Sequence, residues 1–169
     1  DLIVGTNNSY IATLVERRSR FVLLAKVEDR GTATVVAALT RKMQRLPREL
    51  RLSLTWDRGS EMAQHGEFTL ATDMQVYFCD PQSPWQRGSN ENTNGLLRQY
   101  FPKGTDLSVH SQRHLDAVAR QMNGRPRETL GFRSPAEVLA ETVNVPFFTA
   151  GQSSPSGRDR TRAQRHVPR

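Results

Sequence analysis

The order of apolar patterns along the chain is the feature that most constrains its fold. Strand-like runs come first, at residues 1–5, 9–18 and 19–27, and residues 32–46 follow with apolar side chains at three- and four-residue steps. The early runs are typical of β-strands, and the later period is typical of a helix with one apolar face. Short turns between the early runs favour antiparallel pairing. We therefore expect a mixed sheet, antiparallel at first and covered by helices.

The rest of the sequence alternates between strands and helices and then becomes mainly helical. Strands are predicted at 50–56 and 75–79, and helices at 66–73, from Ser89 or Asn90 onward, at 111–122 and at 134–140. The resulting fold class is α/β, with a five-stranded mixed sheet flanked by helices. We assign residues 1–148 to one folded domain. Residues 149–169 have no apolar period and are rich in Gly, Ser and Arg, which predicts a basic, disordered tail.

The charge balance favours a polyanionic partner. Lys and Arg number 24 against 17 Asp and Glu, a formal net charge of +7 in 169 residues. Phosphate neutralisation and counterion release would favour nucleic acid, although a merely basic, soluble surface is an equal alternative on charge alone. The single cysteine, Cys79, excludes an internal disulfide and a cysteine-rich zinc site, and it fits a reducing cytosol.

No apolar run in the sequence approaches the roughly 20 residues that span a bilayer, so no membrane partner is expected. No signal peptide is visible either. The sequence opens on the charged residue Asp1, which is followed at once by an apolar strand-like run. This abrupt opening indicates a fragment of a longer protein.

Acidic residues stand at the ends of three predicted elements. Asp1 opens the first strand, Asp57 closes the strand at 50–56, and Glu91 lies where a helix begins. Ser53, Thr55 and Asp57 share one strand face, near the carboxyl end at which open sheets place their sites. Carboxylate oxygens are preferred ligands of Mg²⁺, and two such ions about 3.5–4 Å apart can act on a phosphodiester. In a basic chain, these acids predict a metal site that faces nucleic-acid phosphate.

Glu91 shares a helix face with Asn94, Gly95 and Arg98, at steps of three, four and seven residues. The Glu91 carboxylate could bind a metal ion, and the Asn94 amide and Arg98 guanidinium farther along the same face could contact phosphate. An ordinary solvated helix face explains the same spacing, and spacing alone favours that alternative.

Four segments resemble the catalytic core of bacterial insertion-sequence transposases. They are residues 1–5 (DLIVG), 54–62 (LTWDRGSEM), 83–95 (SPWQRGSNENTNG) and 123–137 (NGRPRETLGFRSPAE). The resemblance extends over about residues 1–141 and is to the insertion sequence thirty family, within the retroviral-integrase superfamily. The 33 residues between Asp57 and Glu91 equal the spacing of the last two acids in that family. Residues after about 145 do not resemble the family. No segment of the given sequence corresponds to the family's helix-turn-helix region.

The resemblance implies a ribonuclease H-like fold and a catalytic, metal-binding triad of Asp1, Asp57 and Glu91. It implies Mg²⁺ or Mn²⁺, with two ions, as the cofactor. Water would cut a strand at a transposon end without a covalent protein intermediate, and the freed 3′-hydroxyl would attack target DNA. Transposon ends and target DNA are the expected partners, with a homo-oligomer assembled on the DNA. The expected location is the bacterial cytoplasm, in association with the nucleoid.

Several polar side chains near the triad are predicted to contact the DNA backbone. They are Gln86, Arg87, Asn94, Arg98 and Lys103. For each cation a solvated surface position is about as expected as a phosphate contact. Trp85 could stack on a base, although a role in anchoring its loop is slightly favoured.

Other acids and histidines rank below the triad. Asp80 follows a strand in an Asp-Pro turn, and Glu61 is either close behind Asp57 or exposed to solvent. His110 and His114 have the spacing of a zinc pair but no evident third ligand. Two functional alternatives also remain open, a DNA-binding or assembly remnant without catalysis and a ribonuclease H-type or junction-resolving nuclease.

Overall fold

The protein is described by a computed structural model that covers residues 1–57, 60–80 and 88–144. Two of the predicted DNA contacts, Gln86 and Arg87, lie outside the described residues, as do Trp85 and the predicted tail at 149–169.

The strands form an antiparallel group and a parallel pair. Strands β1 (Leu2–Val4), β2 (Tyr10–Val15) and β3 (Val22–Val27) are antiparallel, with β2 in the centre. Strands β4 (Ser53–Trp56) and β5 (Gln75–Phe78) pair in parallel. The predicted five strands and their mixed directions are therefore present. Within the described residues, however, their hydrogen bonds form a three-stranded and a two-stranded sheet rather than one continuous ladder.

Five α-helices surround the strands in the described part of the chain. They are α1 (Thr32–Met43), α2 (His65–Thr72), α3 (Gly88–Leu97), α4 (Gln112–Asn123) and α5 (Pro135–Asn144). Short 3-10 turns lie at Arg48–Leu50, Ser60–Met62 and Glu128–Leu130. The longest of these helices have 12 residues, and none of the described helices has the length and apolar character needed to cross a membrane.

Both faces of β2 are buried, each against a different set of helices. Ala12 and Leu14 pack in a core with α1 that also takes in Leu54 and Trp56 of β4. Ile11 points to the opposite face, into a second core formed with α3 and α4. Because successive side chains of a strand point to opposite faces, those of β2 enter the two cores alternately. The α1 core joins the three-stranded sheet to the β4–β5 pair, although no ladder connects them in the described residues.

Several predicted boundaries were wrong. The strand predicted from Leu50 begins only at Ser53, because residues 48–50 form a 3-10 turn after Pro47. Gly88 lies in α3 rather than in the preceding loop.

The last predicted helix, at 134–140, extends to Asn144. Its start is a capping box, in which Glu137 Oε2 accepts from Ser134 N at 2.7 Å and Ser134 Oγ accepts from Glu137 N at 3.3 Å.

Candidate active site

Asp1 is held at the start of β1 by backbone and side-chain hydrogen bonds. Its carbonyl oxygen accepts from Thr13 N at 2.8 Å, and its own backbone nitrogen donates to Thr13 O at 3.1 Å. Asp1 Oδ1 accepts from Leu2 N at 2.8 Å, while Oδ2 accepts from Asn94 Nδ2 at 2.8 Å. Asp1 therefore connects the three-stranded sheet directly to α3.

Asn94 places Glu91 close to this connection. The two residues are three apart on α3, a separation that brings Cβ atoms to about 5–6 Å. Asn94 is half-buried, and its Oδ1 is buried without a hydrogen-bond partner among the described residues. Glu91 is exposed on the first turns of the same helix. The Asn94 amide is thus turned toward Asp1 rather than outward, and Glu91 lies on the same face of α3.

A cavity of about 280 Å³ joins Asp1 to two other elements. Its wall includes Ser53 and Thr55 of β4 and Ser89 and Asn90 at the beginning of α3. Asp57 stands two residues beyond Thr55 and Glu91 directly follows Asn90, although of the three predicted acids Asp1 alone lines the cavity. The fold therefore brings together the three elements that carry the predicted triad.

Asp57 follows the last residue of β4. Leu54 and Trp56 are buried whereas Ser53 and Thr55 are exposed, so the predicted alternation along this strand is confirmed. Cys79 N donates to Trp56 O at 2.9 Å. The backbone pairing between β4 and the β5 segment therefore continues to Trp56, the residue before Asp57. The Asp57 side chain is half-buried and belongs to the Thr55 side of the strand.

The three carboxylates are not gathered into one closed cluster. Within residues 1–57, 60–80 and 88–144, no group of three or more His, Cys, Asp or Glu side chains is arranged to hold a metal ion. Arg58 and Gly59, which follow Asp57, lie outside the described residues, as does the segment before α3. The assignment of the triad as catalytic and metal-binding therefore stays a prediction.

Comparison with known proteins places the chain in a family. The integrase core domain family matches residues 2–84. The transposase InsI of insertion sequence element IS30A from Escherichia coli (strain K12) is 57% identical over 143 residues, which are 85% of this chain and 37% of that protein. The transposase of element IS1086 from Cupriavidus metallidurans is 58% identical over 147 residues, or 86% of this chain and 43% of that protein. The chain belongs to the IS30 family of transposases.

The fold of this IS30-family core is that of a retroviral integrase core. The catalytic core domain of BIV integrase aligns with a TM-score of 0.61, at 18% sequence identity, over 85% of this chain and 92% of that one. The predicted ribonuclease H-like α/β fold is thereby confirmed. The chain spans about two fifths of the length of the two transposases that it matches.

Arg98, predicted to contact DNA, joins α3 to the end of β1 in the IS30-family core. Its Nη2 donates to Val4 O at 3.3 Å, and its Nη1 lies 3.4 Å from the carbonyl oxygens of Val4 and Phe101. Lys103 is exposed in the turn that follows. A phosphate contact by either residue stays a prediction, and Arg98 has a structural role in any case.

The lower-ranked residues take different positions. Glu61 is 8% exposed, with Oε1 3.9 Å from Arg30 Nη2, so solvent exposure was the wrong alternative for it. Asp80 is exposed just after β5. The rings of His110 and His114 stack 5.0 Å apart and both meet Phe101 edge-on. Burial, together with the nearby charges of His114 and Lys26, lowers the pKa of His110.

One contact at this site has only a weak signal in the sequence. Arg20 lies in the turn between β2 and β3, and its Nη1 donates to Ser89 Oγ of α3. A cluster of arginines at a bend is visible in the sequence, but the partner is 69 residues away. The helix was expected to begin at Ser89 or Asn90, and the Ser89 hydroxyl accepts this long-range bond.

Proposed function

We propose that this core cuts DNA strands at transposon ends and joins the freed 3′-hydroxyls to target DNA. The observation that carries the proposal is the Asn94–Asp1 hydrogen bond, which connects the first predicted acid to the helix of the third. Family membership supports it, because the relatives named above are transposases. In each displacement one P–O bond forms and one breaks, and no side chain becomes covalently attached to DNA.

The donor set of the proposed site suits hard divalent cations. Asp1, Asp57 and Glu91 offer carboxylate oxygens only, the ligand type that Mg²⁺ and Mn²⁺ prefer over thiolate or imidazole. Two bound ions would neutralise charge on the attacking and leaving oxygens of the phosphodiester. We assign all three carboxylates to holding these ions.

Neighbouring residues of the chain support the proposed carboxylates. Asn94 orients the Asp1 carboxylate through Nδ2, so we propose a positioning role for it in addition to the predicted DNA contact. Arg98 holds α3 against β1 through Val4 O, which keeps Glu91 and Asp1 on adjacent elements. The exposure of Glu91 leaves its side chain accessible from solvent.

The partners and location of the whole protein are also proposals. Transposon ends and target DNA are the proposed substrates, with Gln86, Arg87 and Lys103 as further backbone contacts. Assembly of several copies on DNA, in the cytoplasm beside the nucleoid, is proposed on the family resemblance.

The test is strand cutting and joining on labelled element-end DNA with Mg²⁺ or Mn²⁺. Asp57→Asn and Glu91→Gln should each reduce product by at least about 10³-fold, since each removes a charged ligand from the site. Asp73→Asn is the matched control, because Asp73 is exposed at the end of α2 with φ of 59°, a conformation that Asn tolerates. Undiminished cutting by either site variant would refute the triad.

Other substrates in the same assay separate the remaining functions. Preferential cutting of an RNA–DNA hybrid or of branched DNA, at one salt concentration, would point to a nuclease instead. Calorimetry that finds no uptake of Mg²⁺ or Mn²⁺ at millimolar concentration would favour a remnant without catalysis.

A further inference from the structure

The turn between β2 and β3 is rich in arginine and is held in shape by hydrogen bonds. We call residues 16–21 the arginine turn, since three of its six residues are arginines. The Glu16 carboxylate holds the shape of the turn through three hydrogen bonds. Its Oε1 accepts from Arg18 N at 3.0 Å, and its Oε2 accepts from Ser19 N at 2.6 Å and from Ser19 Oγ at 2.5 Å. Glu16 N donates to Phe21 O at 2.8 Å and closes the turn.

The charge state of Glu16 favours this geometry. Burial raises the pKa of its carboxyl, but the hydrogen bonds from Ser19 and Arg18 outweigh burial and hold the pKa below its usual value. The carboxylate is therefore ionised at neutral pH and keeps accepting these bonds. These hydrogen bonds shape the turn without a ligand, and a pre-shaped turn has a lower entropic cost of binding.

The fixed turn displays two arginines and anchors the third. Ser19 is fully buried, whereas Arg17 and Arg18 are exposed. Arg20 adopts a left-handed φ of 61° and its guanidinium contacts Ser89 of α3. The hydrogen bond from Arg18 to Glu16 uses the Arg18 backbone, and the Arg18 guanidinium adds a coulombic attraction to the Glu16 carboxylate.

The arginine turn lies beside Asp1, the first carboxylate of the proposed active site. Glu16 and Arg17 line the same cavity as Asp1, Ser89 and Asn90. The three proposed carboxylates carry negative charge, which by itself repels DNA phosphates. Cations held next to Asp1 and α3 would offset that repulsion at the point where the strand enters.

We propose that Arg17 and Arg18 bind the phosphodiester backbone of the DNA strand that enters the site beside Asp1. This inference rests on the proposed function, since it needs DNA at that site. Guanidinium groups match phosphate oxygens through paired N–H donors, and a pre-ordered turn loses little freedom when it binds. The contact reads no bases and serves any sequence.

The test measures binding of the full chain to a short DNA duplex by fluorescence anisotropy across a salt series, with Ca²⁺ in place of Mg²⁺. Arg17→Ala/Arg18→Ala should weaken binding about tenfold or more and reduce the salt slope by about one to two units. Arg17→Lys/Arg18→Lys keeps the charges and should retain most of the salt slope while losing part of the affinity.

Arg113→Ala/Arg120→Ala is the matched control. These residues are exposed seven apart on α4, whose buried side faces the sheet, and the pair removes the same net charge. It should change affinity less than about threefold. An Arg17→Ala/Arg18→Ala loss no greater than that of the control overturns the inference, and so does an absence of DNA binding by the unmodified chain at low salt.

Cutting assays on the same proteins separate this inference from the proposed function. If the arginine-turn variant loses binding while the unmodified chain binds but never cuts, the inference stands and the proposed function fails. If the unmodified chain cuts and the variant binds and cuts equally well, the proposed function stands and the inference fails. Thermal unfolding of each variant verifies that the loss does not arise from a misfolded turn.

Discussion

The antiparallel sheet and the β4–β5 pair contribute to the site in different ways. Every residue of β2 except the last is buried, because helices cover both of its faces. In β4 the burial alternates, and β5 has no fully buried residue. Asp1 is therefore presented by the densely packed sheet, whereas Asp57 follows a strand with one exposed face. We infer that the buried three-stranded sheet fixes the position of Asp1, and that α3 and β4 place Glu91 and Asp57 relative to it.

The largest expected effect contrasts one residue from each region. Ile11→Ala removes a fully buried side chain from β2, the middle strand of its sheet, and should lower the free energy of unfolding by about 3 kcal/mol. Tyr77→Ala in β5, where the side chain is 57% exposed, should cost less than about 1 kcal/mol. Urea unfolding followed by circular dichroism measures both. Equal losses would show that the two regions are packed alike.

An intermediate effect concerns the connection between the sheet and α3. Asn94→Ala removes the donor to Asp1 Oδ2 and should reduce the rate constant for cutting at saturating DNA roughly tenfold to a hundredfold, in addition to any loss of DNA affinity. Asn92→Ala is the control, since Asn92 is exposed on the same helix. Rate constants at saturating DNA, measured over a range of Mg²⁺ concentrations, test the assignment. If Asn94→Ala weakens DNA binding and leaves the rate constant intact, Asn94 contacts DNA rather than positioning Asp1.

The smallest effect is a pH dependence at Asp106, which lies between α3 and α4 and accepts a hydrogen bond from Asn7 in the loop that follows β1. Hydrogen bonds from Ser108 and Asn7 lower the pKa of the Asp106 carboxyl to about 2, from an ordinary value of 3.8. Because the folded pKa is depressed, the stabilisation is present above about pH 4 and is lost as the pH falls toward 2. Carbon-detected NMR titration of Asp106 measures the midpoint, and Asn7→Ala should raise it. A midpoint near 4 in the unmodified protein would exclude these bonds in solution.

Prediction from sequence succeeded where a local pattern has a single physical explanation. The apolar period of α1 and the alternation of β4 each identify their element without knowledge of the rest of the fold. It failed where a tertiary contact competes with the local pattern. The helix predicted from Ser89 or Asn90 onward already includes Gly88, and the Ser89 hydroxyl is bonded to Arg20. The same limit applies to the site, where the acids were recognisable by type and spacing but Glu16 and Arg20 were not.

Residue type, spacing and periodicity were sufficient to assign the α/β class, the family resemblance and the acidic candidates, because these depend on neighbours along the chain. The approach of β1, β4 and α3 around one cavity depended on folding, as did the burial of Glu61 and the docking of the arginine turn on α3. These features join residues that are tens of positions apart. Their energies come from packing and from hydrogen bonds across the two cores, and no local pattern contains that information.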